Sequence, residues 1–245
     1  MKHILIVLAP ALLGAAELPR LEQLFDTKLS PAERANICFE LRGNSSEEVI
    51  GAMARAIENP ALLSCAADNL RIAKAVEPLR QALHSSNAQT RAAAARELGS
   101  FQDVALLKDL NAAAHDPNLL VASNALGALA VYRDPAVLPY LGALAAAGGM
   151  IGDMALERIL ELDPQLAISI ARRLIQSSQV SDTLYAIRTM ARAGDGSDLP
   201  QLARIAGAAE DVQTQPSRGF GFMPPINLAR AAQSAIAQIK TRTSE

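Results

Sequence analysis

Apolar residues recur along this chain at the three- and four-residue spacing of helices that bury one face. The clearest sets are Val76, Leu79, Ala82 and Leu83; Val137, Leu138, Leu141 and Leu144; and Leu166, Ile168, Ile170, Leu174 and Ile175. The alternation of apolar and polar residues that indicates a half-buried strand is absent from the sequence. The pattern therefore predicts an all-α fold.

Polar residues at regular intervals indicate where helices begin, because Ser, Asn and Asp side chains accept bonds from unpaired N–H groups there. One series, at steps of 29, 28 and 29 residues, would cap the second helix of each pair: Ser30, Asn59, Asn87 and Asp116. Another, at steps of 31, 29 and 32 residues, would cap first helices: Asp103, Asp134, Asp163 and Asp195. We interpret these aspartates as caps rather than as a row of acidic ligands.

The two series divide the chain into about seven helix pairs: 17–44, 45–74, 75–102, 103–133, 134–162, 163–194 and 195–240. The second helices are alanine-rich, and two of them reach Leu98-Gly99 and Leu126-Gly127. Glycine at these positions would end the helix or let the next backbone pack closely. Gly148-Gly149 is predicted to be a turn.

The best-formed unit reads AVEPLRQAL from Ala75, then TRAAAARELG from Thr90, and then Asp103. It resembles HEAT repeats, in particular the short type first noted in phycobilisome lyases, and the resemblance covers about residues 45–205. It implies a right-handed α-solenoid of about seven stacked helix pairs, whose usual role is to bind other proteins. Arg91 matches the family's usual second-helix arginine, which the other repeats lack. The next repeat has Leu119-Leu120-Val121 in the equivalent region.

The N-terminal segment differs from the repeats. A short basic start precedes the apolar run Ile4–Leu13 and the small residues up to Ala16, which is the pattern of a secretory signal peptide. We expect a signal peptide at 1–16, the repeat solenoid at 17–240 and a tail at 241–245. An uncleaved anchor is the alternative. Export would place the protein in the periplasm or outside the cell.

Two cysteines, Cys38 and Cys65, fall in the second helices of neighbouring predicted pairs. An oxidising compartment would allow them to form a disulfide if their Cα atoms come within about 7 Å. The alternative is two small buried apolar residues. No Cys/His cluster or CxxC motif supports a metal, haem or dithiol site.

The turn at 208–224 is much longer than the other predicted turns and contains Arg218, Phe220, Phe222 and Met223. Loops beyond about 12–15 residues are uncommon in compact domains and are often functional. The segment could be a binding loop with these residues as anchors. It could also be a flap that covers the apolar end of the stack.

Arginines recur on the second helices, which line the concave side in solenoids of this family. We hypothesise a broken basic stripe, represented by Arg71, Arg96 and Arg188, that meets an acidic partner. The alternative is ordinary solvated helix faces with ion pairs, such as those around Arg158. His84 and His115, in equivalent turns, are expected to be surface residues rather than catalytic ones.

The composition narrows the possible functions. A formal charge of −2 gives no reason to expect binding to nucleic acid or to an acidic membrane surface. Aromatic residues make up 3% of the chain, so Ala, Leu, Ile and Val must build the core. We expect an exported, monomeric, non-catalytic scaffold or adaptor that binds a protein partner, without a cofactor or metal and without membrane contact after cleavage. The alternative is a lyase or chromophore-handling enzyme of the phycobilisome-lyase type.

Overall fold

The computed structural model describes residues 18–208 and 226–244, and every regular element in these two ranges is helical. The chain divides into two compact units between Ala128 and Leu129. The expected signal peptide, residues 1–16, lies outside the described residues.

The first unit contains the helices of pairs one to four: α1 (Leu18–Gln23), α2 (Pro31–Glu40), α3 (Glu47–Ala56), α4 (Leu63–Ile72), α5 (Val76–Ala82), α6 (Ala88–Gly99), α7 (Leu107–Ala114) and α8 (Leu119–Ala130), whose last two residues belong to the second unit. The second unit contains pairs five to seven: α9 (Leu138–Ala147), α10 (Gly149–Leu162), α11 (Pro164–Leu174), α12 (Val180–Ala193), α13 (Leu199–Gly207) and α14 (Leu228–Thr243). Short 3-10 turns precede α7, α9 and α13.

The predicted all-α fold class is confirmed, and within each unit helices of successive pairs pack against one another, as expected for an α-solenoid. Helices α1 to α13 each lie within the pair predicted for them. Helix α14 continues to Thr243, so the boundary expected at Lys240 is wrong. The extension is held in place because Arg242 donates to the carbonyl oxygen of Ala191, at 2.8 Å, near the end of α12.

The aspartates at the starts of first helices are caps, as predicted. Each carboxylate accepts a bond from a backbone N–H two or three residues further on, at 2.8–3.0 Å, in Asp103, Asp134, Asp163 and Asp195. These bonds satisfy N–H groups that have no partner within the helix. All four acids therefore cap the starts of their own first helices, and Asp195 also pairs with Arg172 on α11 at 3.2 Å.

The starts of the second helices follow the prediction in two pairs and depart from it in two others. Ser30 forms a capping box with Glu33, and Asn87 caps α6. Asn59 only closes a turn, because α4 begins later, at Leu63. In the fourth pair, the carboxylate of Asp116 is bonded to Arg91, and Asn118 accepts the bond from the N–H of Leu120. The predicted cap positions at Asn59 and Asp116 are therefore wrong.

Small side chains let the helices of the first unit pack closely. A methyl group built at Gly99, the last residue of α6, would lie 2.6 Å from Cβ of Ala128 on α8. The reading of Gly99 as a close-packing position is therefore confirmed. At Gly127 nothing lies within 4 Å of such a methyl group, and α8 continues past it to Ala130. The expectation that Leu126-Gly127 marks a helix end or a close approach is wrong.

The second unit packs its last two pairs around aliphatic side chains, chiefly Ile168, Ile187, Met190, Leu202 and Ile239. Its sharpest turn is Gly148-Gly149, where both residues have a positive φ, as predicted for a turn. The carboxylate of Asp182 on α12 accepts the N–H of Gly149 at 2.9 Å. A Cβ at Gly148 would lie 2.6 Å from the same carboxylate, so only glycine fits there.

Candidate functional site

The second helices of the first unit carry a row of ion pairs that joins successive repeats. Arg42 lies 2.9 Å from Asp68, which also bonds to Arg71 on the same helix, α4. Arg71 then reaches Glu97 on α6, with 3.0 Å between Nε and Oε2, and Glu97 accepts two bonds from Arg96. Charges alternate in sign along this row, so it offers a partner little net charge.

Two arginines of the hypothesised basic stripe belong to this row. Arg71 is one-third exposed, and its pKa is raised chiefly by its bond to Asp68. Arg96 is more exposed but shares Glu97, whose residue surface is only 8% exposed. Both guanidinium groups are therefore already paired. This arrangement agrees with the alternative to the basic stripe, namely solvated helix faces with ion pairs. Their role in binding an acidic partner stays a prediction.

Arg188, the third arginine of the hypothesised stripe, lies on α12 of the second unit, where it is exposed. Burial raises the pKa of Asp153 on α10, with Glu157 adding to the shift and Arg188 opposing it. Burial also raises the pKa of Tyr185, again with Arg188 opposing the shift. The charge of Arg188 thus faces a half-buried carboxylate of its own unit.

The four residues named in the long turn, Arg218, Phe220, Phe222 and Met223, lie outside the described residues. His84 and His115 are both exposed, and Nδ1 of His115 lies 2.8 Å from the carbonyl oxygen of Asn111. Within 18–208 and 226–244 no group of three or more His, Cys, Asp or Glu side chains could hold a metal ion.

The structure joins Cys38 on α2 to Cys65 on α4 by a disulfide, with their Cα atoms 6.2 Å apart. The bond lies in the core, since Cys38 and Cys65 are 0% and 4% exposed. The side-chain amide of buried Asn69 donates to the carbonyl oxygens of both cysteines, each at 3.1 Å. The second helices of the first two pairs are therefore connected by a covalent bond and by one shared amide.

An open groove of about 290 Å³ crosses α4, α6 and α8 in the first unit. Alanine side chains at Ala92 and Ala93 leave the middle of the groove shallow. The residues that line it are Pro60, Leu63, Ser64, Gln89, Ala92, Ala93, Arg96, Leu120 and Asn124. We call this the second-helix groove. Its floor is apolar, and its rim carries amide, hydroxyl and guanidinium groups.

Two exposed leucines begin α8, and one of them, Leu120, lines the second-helix groove. Leu119 and Leu120 each keep 53% of their surface exposed at the start of α8. Neither was predicted as a site residue, and two consecutive leucines give no such signal, because adjacent residues such as Leu106 and Leu107 can both be buried. The period of the repeats also set Leu120, rather than a later residue, against Arg91. The caps at Asn87 and Asn118 instead make Ala122 the counterpart of Arg91.

Comparison with known proteins agrees with the repeat architecture. Residues 76–149 match the family model described as HEAT repeats, from the first residue of α5 to the first residue of α10. This part of the chain consists of HEAT repeats, and the protein is a helical repeat protein. A search of curated proteins finds no match.

Solved structures also match the chain. One is human deoxyhypusine hydroxylase in complex with glycerol, at 15% sequence identity and a TM-score of 0.39. The match covers 93% of this chain and 96% of the human chain.

Proposed function

We propose that the protein is an exported, monomeric, non-catalytic scaffold that binds another protein in the second-helix groove. The observation that carries the proposal is an apolar groove across three successive repeats, with the exposed Leu120 in its lining. HEAT repeats commonly serve as protein-interaction modules, and residues 76–149 are repeats of this kind.

The lining of the groove suits a protein segment. Protein interfaces have an apolar centre and a polar rim that keeps water out and sets the register. Here Leu63 and Leu120 supply apolar contact over the alanine floor, while Gln89 and Arg96 supply donors at the rim. A helix or extended strand of a partner could place one apolar side chain between α6 and α8.

The charges around the groove favour a protein over a polyanion. Binding to nucleic acid requires several unpaired cations along a path, since affinity comes largely from neutralised phosphates. Arg71 and Arg96 are bonded to Glu97, and Asp68 takes up the next arginine in the row. In the described ranges no helix is both long and apolar enough to cross a membrane.

Export is part of the proposal and rests on the leader pattern at 1–16. The Cys38–Cys65 disulfide supports it, because buried disulfides persist in oxidising compartments and are rare in reducing ones. N-terminal sequencing of protein recovered from the cell envelope tests the proposal directly. Export with cleavage predicts a chain that begins at Glu17, whereas a chain that retains Met1 contradicts it.

Binding is tested by affinity capture from an envelope extract, with captured proteins identified by mass spectrometry. Leu120→Asp places a charge on the groove without removing a buried group, so the fold should persist and the specific partner should be lost. Val104→Asp is the matched control, because Val104 is 46% exposed in the same unit and lies outside the groove lining. Equal recovery of the same partner by both variants would exclude the groove as the binding site.

The non-catalytic part of the proposal has a separate test. Protein purified from its own host should show only the absorbance of its tyrosine and phenylalanine side chains, since the sequence contains no tryptophan. A bound pigment or cofactor band would favour the lyase or chromophore-handling alternative.

A further inference from the structure

A second and larger groove lies in the first unit between α1 and α3. It has a volume of about 610 Å³ and is partly open at the surface of the described residues. Its floor is apolar, with Leu21 and Ala52 buried beneath it and Phe25 half-exposed at one end. We call it the N-terminal groove. It is built by the first helices of the first two pairs, so it shares no lining residue with the second-helix groove.

The middle of the floor is left open by Gly51. A methyl group built at this position in α3 would meet no atom of the described residues within 4 Å. Gly51 is therefore not required by packing or by a turn, although glycine within a helix costs about 1 kcal/mol relative to alanine. Its effect on the surface is to leave room for a side chain that comes from outside.

The walls of the N-terminal groove are acidic. Glu22, Glu47 and Glu48 are exposed, and none of their carboxylates has an ion-pair or hydrogen-bond partner within the described residues. Among the described residues that line the groove, Arg55 is the one cation, and its guanidinium lies 4.6 Å from the ring centroid of Phe25. These described residues carry three carboxylates and one guanidinium, a net charge of −2, in contrast to the paired charges on the second helices.

Local helix chemistry explains part of this arrangement. Glu47 and Glu48 lie in the first turn of α3, where a negative charge is favourable to the helix dipole. Glu22 lies outside the first turn of α1, so the helix dipole does not favour its negative charge. The helix dipole also does not account for the apolar floor that the described residues leave open between the two helices.

We propose that the N-terminal groove binds a cationic amphipathic segment of a partner protein. An apolar side chain of that segment would occupy the space above Gly51 and contact Phe25. Its lysine or arginine side chains would pair with Glu22, Glu47 and Glu48, which have no ion-pair partner among the described residues. Burial of apolar area supplies affinity, and charge complementarity selects a basic partner over an acidic one. The N-terminal groove is built from other helices than the second-helix groove. An experiment can therefore contradict one of the two binding proposals without contradicting the other.

The structure offers a variant that fills the groove without disturbing the fold. Gly51→Leu places a side chain in the open space, and leucine is a better helix former than glycine, so stability should be kept or raised. Gly142→Leu is the matched control, because Gly142 also lies inside a helix, α9 of the second unit, and also faces open space. Thermal unfolding of both variants shows that they fold.

The experiment measures fluorescence anisotropy of a labelled synthetic peptide of leucine and lysine, with leucines at the three- and four-residue spacing of an amphipathic helix. Two matched peptides replace lysine by glutamate or leucine by serine. The leucine–lysine peptide should bind, more weakly at high salt, and the other two should not. Gly51→Leu should weaken binding about tenfold or more. Gly142→Leu and Leu120→Asp should bind like the unmodified protein.

A triple variant, Glu22→Gln, Glu47→Gln and Glu48→Gln, tests the acidic walls. It should weaken binding and reduce its dependence on salt, since three carboxylates would no longer contribute. Unchanged affinity in Gly51→Leu, or equal binding of the glutamate peptide, would overturn the proposal. Self-association of the protein that Gly51→Leu abolishes would also overturn it, because a second copy would then be the occupant.

Discussion

The guanidinium of Arg71 on α4 donates to the carboxylate of Glu97 on α6, with 3.0 Å between Nε and Oε2. Glu97 is 8% exposed, so this bond joins two successive repeats at a carboxylate that water barely reaches. Arg71 therefore contributes to the stacking of the repeats as well as to their surface.

Replacing Arg71 by alanine should destabilise the protein, because Glu97 would keep only Arg96 as a partner. Hydrogen bonds between charged groups contribute about 1.5–3 kcal/mol, and partial exposure reduces this, so we expect a loss of about 1–2 kcal/mol. Urea unfolding measures the change. Arg96→Ala is the control and should cost less, since Arg96 is more exposed. Equal effects of the two substitutions would contradict the structural role of Arg71.

The carboxylate of Asp116 makes the free energy of unfolding depend on pH in the acidic range. Arg91 holds the carboxylate with Nε and Nη2 at 2.8 and 3.1 Å, which lowers the pKa of Asp116 below its ordinary value. Because the unfolded chain takes up the proton first, the stabilisation is complete above the ordinary aspartate pKa, about 3.9, and is lost as pH falls through the lower folded value.

We therefore expect Asp116→Asn to be less stable than the unmodified protein at pH 7 and to approach its stability below about pH 3. Chemical unfolding across this pH range measures the difference. Asp26→Asn is a surface control, since the Asp26 side chain accepts only a local backbone bond from Lys28. A constant difference between Asp116→Asn and the unmodified protein at every pH would contradict the linkage to Asp116.

The disulfide should matter most to the first two repeats. Its cysteines are 27 residues apart, and in the chain-entropy description a loop of this size stabilises the folded state by about 3–4 kcal/mol. The double variant Cys38→Ala and Cys65→Ala should lose about this much in urea unfolding. Reduction of the unmodified protein should lower its stability similarly. The double variant is the internal control, because the reductant should not change its stability.

Two glycines should respond to alanine in opposite directions. Gly99→Ala puts a methyl group 2.6 Å from Cβ of Ala128, and overpacking of this kind costs about 1–3 kcal/mol. Gly127→Ala meets open space within a helix and should gain about 0.5–1 kcal/mol. Thermal unfolding of the two variants measures both signs. Stabilisation by both would show that α6 and α8 pack less closely than the structure indicates.

Much of the architecture follows from local chemistry and could be predicted from the sequence. Asp134 and Asp163 accept N–H groups two or three residues away, so their capping role depends on little beyond their own helices. Asp116 was misread for the opposite reason. Its carboxylate is drawn to Arg91, 25 residues earlier, and Asn118 bonds to the helix start instead.

The candidate site was harder to predict, since its features arise between repeats. The helical spacing of apolar residues, the caps and the period near 30 residues determined by themselves that the chain forms stacked helix pairs. They could not show that Arg71 and Arg96 share Glu97, nor that no other described residue packs over Gly51. Those facts depend on the distance and rotation between neighbouring helices. Only tertiary packing decides which exposed side chains of one repeat meet those of the next and which remain available to a partner.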